Sequence, residues 1–355
     1  MLSARHHGPP TTSENPAPRP GSVRTDLYPH TVATTTLTST RTRVHPALGV
    51  AMVAISGVLF AVNGTVSKLI LEAGVDAQRL TLLRAVGAGT GLLALSLIIP
   101  GGQARLKVRR SEMPLLFTYG ITGFFLVPML YFFAIKLLPV GIALLFEYMA
   151  PLLVALWARF GQHQIVKTRL WYGLALSLVG LAFVAEVWKG SLQLNGWGVL
   201  SGLGAAVLLC FYYVLGAKGV TQRDTVSLTF WAFAVSGAAG LIVAAIRPGG
   251  LFPYDVFTRT SHGVPVWALA IYLIIGGSIA SYLLVAAALR HLPPTSVGII
   301  GMIEPVIASG VAWVVLDERL TGAQLVGGAL VLVGVGIAET ARTMGPGEIA
   351  EIPPA

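Results

Sequence analysis

Residues 292–335, LPPTSVGIIGMIEPVIASGVAWVVLDERLTGAQLVGGALVLVGV, contain two long apolar runs that are joined by a short charged stretch. The runs cover about residues 294–315 and 321–341, so the second continues six residues beyond the quoted stretch. Each matches the ~20 apolar residues that a helix needs to cross a bilayer. Strands are not indicated, because the alternation of apolar and polar residues with period two is absent. This segment therefore predicts two consecutive transmembrane helices.

Eight further apolar runs of the same kind precede this segment. They lie near residues 47–71, 78–99, 113–135, 139–159, 170–189, 195–217, 225–247 and 264–288. Only 11% of the chain is charged, whereas soluble domains are about a quarter charged. We therefore predict an all-α integral membrane protein with ten transmembrane helices.

The two ends of the chain and its basic charge need separate interpretations. Residues 1–45 are rich in Pro, Ser, Thr and Arg, which predicts a disordered cytoplasmic tail. Residues 342–355 form a second, short tail. The net charge of +9 could indicate a nucleic-acid partner, but the basic residues fall mainly between apolar runs. That distribution is typical of membrane loops, so we expect no nucleic-acid binding.

The basic residues of the first half predict the orientation. They cluster before the first run, after the second and around the end of the fourth: Arg41, Arg43, Arg105, Lys107, Arg109, Arg110, Arg159, Lys167 and Arg169. Loops rich in Lys and Arg stay in the cytoplasm, so the N-terminus is predicted there. The second half is nearly balanced and does not decide. Ten crossings then place both ends in the cytoplasm of a bacterial cell, with the protein in its inner membrane.

The chain also repeats itself at an offset of 154 residues. The offset pairs Pro139 with Pro293, Pro151 with Pro305, Gly173 with Gly327 and Gly180 with Gly334. Since five helices are an odd number, the second unit would enter the membrane from the other side as an inverted repeat. We predict the first repeat at residues 46–190 and the second at 191–341, with a substrate site between them near the midplane.

Two segments resemble the EamA family of the drug/metabolite transporter superfamily. One is residues 139–154, PVGIALLFEYMAPLLV, which looks closest to the threonine/homoserine exporter branch. The other is residues 292–335, with LP, a central EP, an acidic loop and the pattern LTxxQxxGxxLxxxGV. The resemblance covers about residues 48–340 and implies ten helices, two EamA repeats and export of amino acids or related metabolites. One departure is Gln164, which stands where the second repeat has Glu318.

Ionisable residues inside apolar runs are costly in a bilayer and therefore indicate function. Glu147 and Glu304 lie near the middle of the fourth and ninth runs. One carboxylate from each half, at similar depth, would suit proton antiport or would bind a substrate amino group. The alternative is a structural role beside the two prolines that follow them. Arg84, about two turns inside the second run, could attract a substrate carboxylate. We favour a structural pair of Arg84 with Glu147.

Polar and aromatic residues within the runs could line a cavity: Asn63, Ser67, Tyr131, Tyr213, Ser281 and Tyr282. Of these, Asn63 and Ser281 are favoured. Three prolines inside runs predict kinks: Pro128, Pro151 and Pro305. Residues 317–324, DERLTGAQ, are interpreted as a capping box of Thr321 and Gln324 before the last helix, and not as a site.

No motif indicates an enzyme, a cofactor or a metal. Cys210 is the single cysteine, the seven histidines form no HExxH pair, and GxxxxGK[ST] is absent. The expected partners are a small-molecule substrate, protons and the lipid bilayer. The leading hypothesis is a secondary transporter that exports amino acids or related small metabolites across the inner membrane by proton antiport. A drug or nucleotide-sugar carrier of the same superfamily, a membrane-embedded enzyme and an uncoupled channel remain alternatives.

Overall fold

The computed structural model describes residues 45–75, 77–138, 140–188, 195–246, 263–316 and 320–341, and its regular elements are helices. Within these residues, nine helices are long and apolar enough to cross a membrane, and the helix at Thr168–Val184 is a shorter apolar one. The predicted all-α membrane fold with ten crossings is confirmed.

Fifteen α-helices and three π-helical segments make up the described chain. In chain order the α-helices are α1 (Pro46–Glu72), α2 (Ala77–Ile98), α3 (Gly102–Leu106), α4 (Met113–Tyr119), α5 (Val127–Leu137), α6 (Val140–Glu147), α7 (Ala150–Leu156), α8 (Thr168–Val184), α9 (Gly196–Gln222), α10 (Thr225–Ile246), α11 (Val266–Ile274), α12 (Ser281–Ala288), α13 (Pro294–Gly301), α14 (Glu304–Leu316) and α15 (Gly322–Glu339). The π-helical segments are Gly120–Leu126, Trp157–Gly161 and Ile275–Ala280. Six crossings are single α-helices, and the other four are the pairs α4–α5, α6–α7, α11–α12 and α13–α14.

Successive crossings run in opposite directions, so the connections alternate between two sides. The side that holds the start of α1 is called the N-side. It also holds residues 99–112, 162–167, 222–225 and 289–293. The other side, called the opposite side, holds the remaining connections, whose described parts are residues 73–75, 138, 185–188, 195, 263–265 and 320–321.

The two halves meet most closely where α8 packs against α15. Gly173 lies against Gly334, and Gly180 lies against Gly327. A Cβ atom on any of these four glycines would come within 2.5–2.7 Å of a backbone atom of the other helix. Small residues permit such close approach of membrane helices.

These contacts have the pattern of a two-fold axis. Gly173 and Gly327 are 154 residues apart, as are Gly180 and Gly334, so the members of each pair hold equivalent positions in the two repeats. Each of the two glycines of α8 contacts the α15 equivalent of the other one. Between them, the Ser177 hydroxyl faces the carbonyl oxygen of Val331, its own counterpart, at 3.5 Å. Reciprocal contacts of this kind are what two-fold symmetry requires. Since α8 and α15 run antiparallel, the second repeat is inverted relative to the first.

The fourth and ninth crossings are broken near their centres. In the fourth, α6 ends at Glu147 and α7 begins at Ala150. In the ninth, α13 ends at Gly301 and α14 begins at Glu304. The prolines for which kinks were predicted, Pro151 and Pro305, are each the second residue of the following half-helix. A proline fits there because the first turn of a helix leaves its N–H groups unpaired.

The third and eighth crossings carry π-helical segments at equivalent positions. The offset of 154 places Ile275–Ala280 onto residues 121–126, which lie within Gly120–Leu126. Pro128, the third predicted kink, follows the first segment as the second residue of α5. π-Helical turns are uncommon and occur often at functional sites. The repeat therefore extends to local distortions of the helices, which sequence comparison alone did not indicate.

The predictions for the chain ends and loops concern the two tails, the loop residues and the capping box of the last helix. The two tails, apart from His45, lie outside the described residues, as do Pro139 and residues 317–319. The capping box is confirmed: the Thr321 hydroxyl accepts the N–H of Gln324 at 3.2 Å, and the Gln324 side chain accepts the N–H of Thr321 at 3.0 Å. The boundaries of the two repeats stay predictions.

The glycine contact between α8 and α15 should be a main determinant of stability. We expect Gly180→Leu to lower the melting temperature of the detergent-purified protein, because overpacking of a tight contact costs about 1–3 kcal/mol. The matched control is Gly336→Leu, since Gly336 is on the exposed face of α15 with open space around it. Equal melting temperatures for the two variants would contradict this account of the contact.

Candidate substrate cavity

A cavity of about 880 Å³ lies between the two repeats. Its walls come from α1, α2, α5, α6 and the end of α8 in the first repeat. The second repeat contributes α9, α12, α14 and the start of α15. A volume of this size falls in the range of small-molecule sites, about 300–1,000 Å³.

The cavity reaches the opposite side of the protein. Its lining includes Leu71 near the end of α1, Leu80 near the start of α2 and Glu186 just after α8. It also includes Gln324 in the first turn of α15. All of these positions are helix ends on the opposite side, so the cavity is entered from there.

Two carboxylates lie at the breaks in the crossings and line the cavity. Glu147 is the last residue of α6, and Glu304 is the first residue of α14. Both side chains are partly exposed to the cavity and interact electrostatically with each other and with Tyr131. The Tyr148 hydroxyl is close enough to the Glu304 carboxylate for the two side chains to interact by hydrogen bonding. The structure thus brings the acidic residue of each half to one place.

The two carboxylates are close in space but occupy different helix ends. The repeat offset places Glu147 on Gly301 and Glu304 on Ala150, so the two are not counterparts in the repeat. Glu304 lies at the N-terminus of α14, where the helix dipole stabilises a negative charge. Glu147 lies at the C-terminus of α6, where the dipole gives no such support. The two carboxylates therefore have different electrostatic surroundings, although each comes from one half of the protein.

Arg84 lines the cavity but forms no ion pair with Glu147 among the described residues. Its guanidinium carbon lies over the ring of Tyr282, 5.9 Å from the ring centroid. The Nε atom of Arg84 is buried and has no hydrogen-bond partner among the residues that the structure describes. The favoured structural pair with Glu147 is thus replaced by a contact with an aromatic ring, which leaves a donor of the guanidinium unused.

Aromatic side chains form much of the wall and the floor. Five tyrosines line the cavity: Tyr131, Tyr148, Tyr212, Tyr213 and Tyr282. Towards the N-side, the rings of Tyr212 and Tyr282 contact Tyr119, Phe124 and Phe233, which are almost completely buried. These contacts form an aromatic floor that closes the cavity towards the N-side.

A network around Arg223 closes the N-side below this floor. The guanidinium of Arg223 pairs with the Glu112 carboxylate at 2.5 Å and donates to the carbonyl oxygens of Arg105 and Lys107 at 2.6 and 3.1 Å. Arg290 donates in turn to the carbonyl oxygen of Arg223 at 2.9 Å. The network joins connections from both repeats and holds them together.

The other predicted residues divide into those that line the cavity and those that do not. Asn63, Ser67, Tyr131, Tyr213, Tyr282, Pro128 and Pro305 line it. Ser281 does not line it, and its hydroxyl donates instead to the carbonyl oxygen of Gly276 at 2.7 Å, in the π-helical segment of the same crossing. Pro151 lies against Gly298 of α13 instead. We therefore leave Ser281, which was favoured, out of the candidate site.

Sequence reasoning missed a contact at the cavity entrance. The Thr321 hydroxyl donates to the Glu186 carboxylate at 2.5 Å, and Glu186 and Gln324 both line the cavity. Glu186 adopts a positive φ of 46°, which is uncommon for residues other than glycine. The stretch at 317–324 was interpreted only as a helix cap, but its described part also reaches the entrance. An acidic residue at the end of an apolar run was the signal available for Glu186.

A family model described as the EamA-like transporter family matches residues 47–185 and again residues 196–339. The chain belongs to the EamA-like transporter family. The resemblance seen in the sequence is confirmed, and the two matches correspond to the two inverted halves. The protein is therefore a multi-pass membrane transporter of the drug/metabolite transporter superfamily.

Relatives from several organisms support the same conclusion. An uncharacterized transporter of Archaeoglobus fulgidus is 30% identical, over 82% of this chain and 96% of that protein. The threonine/homoserine exporter RhtA of Escherichia coli K12 is 25% identical, over 67% of this chain and 75% of that protein. A probable amino-acid metabolite efflux pump of Salmonella typhimurium LT2 is 26% identical, over 69% of this chain and 83% of that protein.

A solved crystal structure shares the fold. It superposes with a TM-score of 0.69 and covers 82% of this chain and 98% of its own. At 19% sequence identity, the likeness concerns the fold alone.

The entrance on the opposite side can be tested with a cysteine at Gly64. This residue is exposed to the cavity, and an added Cβ would meet no atom within 4 Å. In a Cys210→Ala background, we expect Gly64→Cys to react with a charged thiol reagent, because water in the cavity supports the thiolate. Gly336→Cys, on the outer face of α15, is the control and should stay unlabelled. Equal reaction of both cysteines would contradict the position of the cavity.

Protonation of Glu112 should loosen the N-side network. The Arg109 N–H, which donates to this carboxylate, and then the paired Arg223 hold the pKa of Glu112 below its ordinary value of 4.5. A lowered folded-state pKa means that the stabilisation is present above the unfolded value and is lost as pH falls through the folded value. Between about pH 5 and about pH 3, the melting temperature should therefore fall more steeply for the natural protein than for Glu112→Gln. Parallel curves would argue against this role of the carboxylate.

Proposed function

We propose that the protein is a secondary transporter that exports amino acids or related small metabolites across the bacterial inner membrane in exchange for protons. The observation that carries this proposal is a cavity between two inverted repeats that contains carboxylates from both, a guanidinium and aromatic walls. Two relatives are named for exporting threonine and homoserine and for amino-acid metabolite efflux, which supports the substrate class.

The lining has groups that complement an amino acid. The substrate ammonium group would pair with Glu147 or Glu304, because both carboxylates are partly exposed to the cavity. The substrate carboxylate would accept from Arg84, whose Nε–H has no partner in the described part of the chain. Charge-assisted hydrogen bonds of this kind are the stronger ones in proteins. The tyrosines would contact the side chain of the substrate.

Proton exchange follows from the same two carboxylates. A carboxylate at this depth is costly as an uncompensated ion, so it holds either a proton or a cationic group. A proton that arrives from one side and a substrate amine that arrives from the other would then compete for it. Competition for one site gives exchange, since each ligand must leave before the other binds.

The two sides of the protein fit an alternating-access cycle. A cytoplasmic location of the N-side is supported by the basic residues of the 99–112 connection, because loops rich in Lys and Arg stay in the cytoplasm. The structure then corresponds to an outward-open state, with the aromatic floor and the Arg223 network closed towards the cytoplasm. Uptake of substrate from the cytoplasm requires both to open, and the broken crossings beside them are suitable hinges.

Transport in proteoliposomes tests the proposal. We expect labelled threonine, homoserine, serine, cysteine or an aromatic amino acid to cross faster when a pH gradient is imposed. Glu147→Gln should slow this flux by about tenfold or more, equivalent to ~1.4 kcal/mol, because the amide binds neither the proton nor the ammonium group as a carboxylate does. The matched control is Glu339→Gln at the N-side end of α15, outside the cavity lining.

Two results would contradict parts of the proposal. Flux that persists unchanged in Glu147→Gln would remove the carboxylate of α6 from the mechanism. Absence of amino-acid flux above empty liposomes would reject amino acids as the substrates and leave drugs or nucleotide-linked sugars as the next class to test.

A further inference from the structure

A cleft of about 410 Å³ lies at the N-side end of α2, apart from the substrate cavity. It is lined by residues 97–104 and by Lys107, which belong to the end of α2, the turn that follows and the short helix α3. These residues are not part of the lining of the substrate cavity. The name interfacial cleft is used for it below.

A tight turn shapes the interfacial cleft. Gly101 has a φ of 72°, in the left-handed region that favours glycine. Gly102 lies so close to the last turn of α2 that an added Cβ atom would collide with the carbonyl oxygen of Ser96. The chain therefore reverses directly at the end of α2, and α3 packs against that helix.

The interfacial cleft lies where the hydrocarbon of a bilayer meets the lipid headgroups. α2 has 22 residues, which corresponds to a length of about 33 Å. This length matches the ~30 Å thickness of the hydrocarbon core. Leu97 and Ile98, at the N-side end of α2, are 54% and 78% exposed. The apolar wall of the cleft is therefore accessible to lipid chains.

Positive charge borders this apolar wall. The 99–112 connection has four exposed basic side chains: Arg105, Lys107, Arg109 and Arg110. Lys107 is the one that lines the interfacial cleft, and in the described part of the chain it forms no ion pair. Glu112, the acidic residue of the connection, is paired with Arg223 instead. The ammonium group of Lys107 is thus available to an anionic ligand.

Hydrogen bonds hold the main chain that carries this lysine. The carbonyl oxygens of Arg105 and Lys107 accept from Arg223 at 2.6 and 3.1 Å. Between them, the carbonyl oxygen of Leu106 accepts from the indole N–H of Trp231 at 3.0 Å. These donors use acceptors of the main chain and leave the Lys107 side chain unused. A group whose base is held in place loses less freedom when it binds a ligand.

The two kinds of surface together identify the ligand chemistry. A phosphate accepts charge-assisted hydrogen bonds from a lysine, and basic sites beside membrane helices bind anionic headgroups. A soluble phosphate compound would leave Leu97 and Ile98 uncovered. A phosphatidylcholine would cover them, but its own ammonium group offsets the charge of its phosphate. An anionic phospholipid satisfies both surfaces.

We propose that the interfacial cleft binds an anionic phospholipid, with the phosphate on Lys107 and an acyl chain along Leu97 and Ile98. Arg105, Arg109 and Arg110 add to the attraction from their exposed positions in the same connection. The site goes beyond the proposed function, because it uses residues outside the substrate cavity and needs no transported substrate.

Native mass spectrometry of the full-length protein in a neutral detergent tests the proposal. The probes are phosphatidylglycerol and phosphatidylcholine with identical acyl chains, titrated separately. We expect the first phosphatidylglycerol to bind about tenfold more tightly than the first phosphatidylcholine. Glycerol 3-phosphate, which has the phosphate without the chains, should not displace phosphatidylglycerol at equal concentration.

Three variants locate the bound lipid. Lys107→Gln should weaken phosphatidylglycerol binding about fivefold and leave phosphatidylcholine binding as it is. Its melting curve without lipid should match that of the natural protein, since Arg223 binds only the main chain here. The matched control is Lys167→Gln, which removes an exposed lysine of the same side outside the cleft and should not change the affinity. Ala104→Trp fills the cleft without changing the charge and should also weaken phosphatidylglycerol binding.

Several results would overturn the proposal. Equal affinities for the two lipids, or equal effects of Lys107→Gln and Lys167→Gln, would mean that lipids bind through general attraction to the basic side of the protein. Unchanged binding in Ala104→Trp would remove the cleft from the site. Displacement by glycerol 3-phosphate would assign Lys107 to a soluble phosphate compound. None of these results bears on amino-acid flux in liposomes, so the proposed function is decided separately.

Discussion

The close contact between α8 and α15 is the constraint on which the rest of the structure depends. Glycines on both helices let the backbones meet around Ser177 and Val331, and the reciprocal contacts set the two-fold relation between the halves. In a membrane, helices gain little from the hydrophobic effect when they associate, so close packing must supply the attraction. The other helices of each half are placed relative to this pair, and the cavity is the space that remains between the halves.

The breaks in the fourth and ninth crossings turn this symmetric frame into a site that can bind polar groups. A broken helix exposes backbone N–H and C=O groups, which membrane proteins tolerate only where protein or a water-filled cavity surrounds them. Here both breaks face the cavity, each with one carboxylate. Glu147 ends one half-helix and Glu304 begins another. The two carboxylates therefore have different electrostatic surroundings, although the two broken crossings are equivalent in the repeat.

Much of this arrangement could be predicted from the sequence, for identifiable reasons. Apolar runs show the crossings directly, the offset of 154 shows the repeat, and Glu147 and Arg84 are visible because charge is rare in such runs. The contact of Glu186 with Thr321 joins residues 135 positions apart, and that of Arg223 with Glu112 joins residues 111 apart. A local sequence pattern does not show which residues so far apart along the chain come into contact. Ser281 was misplaced because a hydroxyl in an apolar run does not reveal which way it faces.

The Arg223 network has a consequence for how the 99–112 connection can vary between related proteins. Arg223 binds the carbonyl oxygens of Arg105 and Lys107, and these acceptors belong to the main chain whatever the side chains are. Positive charge in the same connection serves a separate purpose during insertion into the membrane. The side chains at positions 105 and 107 can therefore be substituted without weakening the closure on the N-side. Divergence at these two positions carries little information about whether a homologue keeps this closure, whereas divergence at position 223 does.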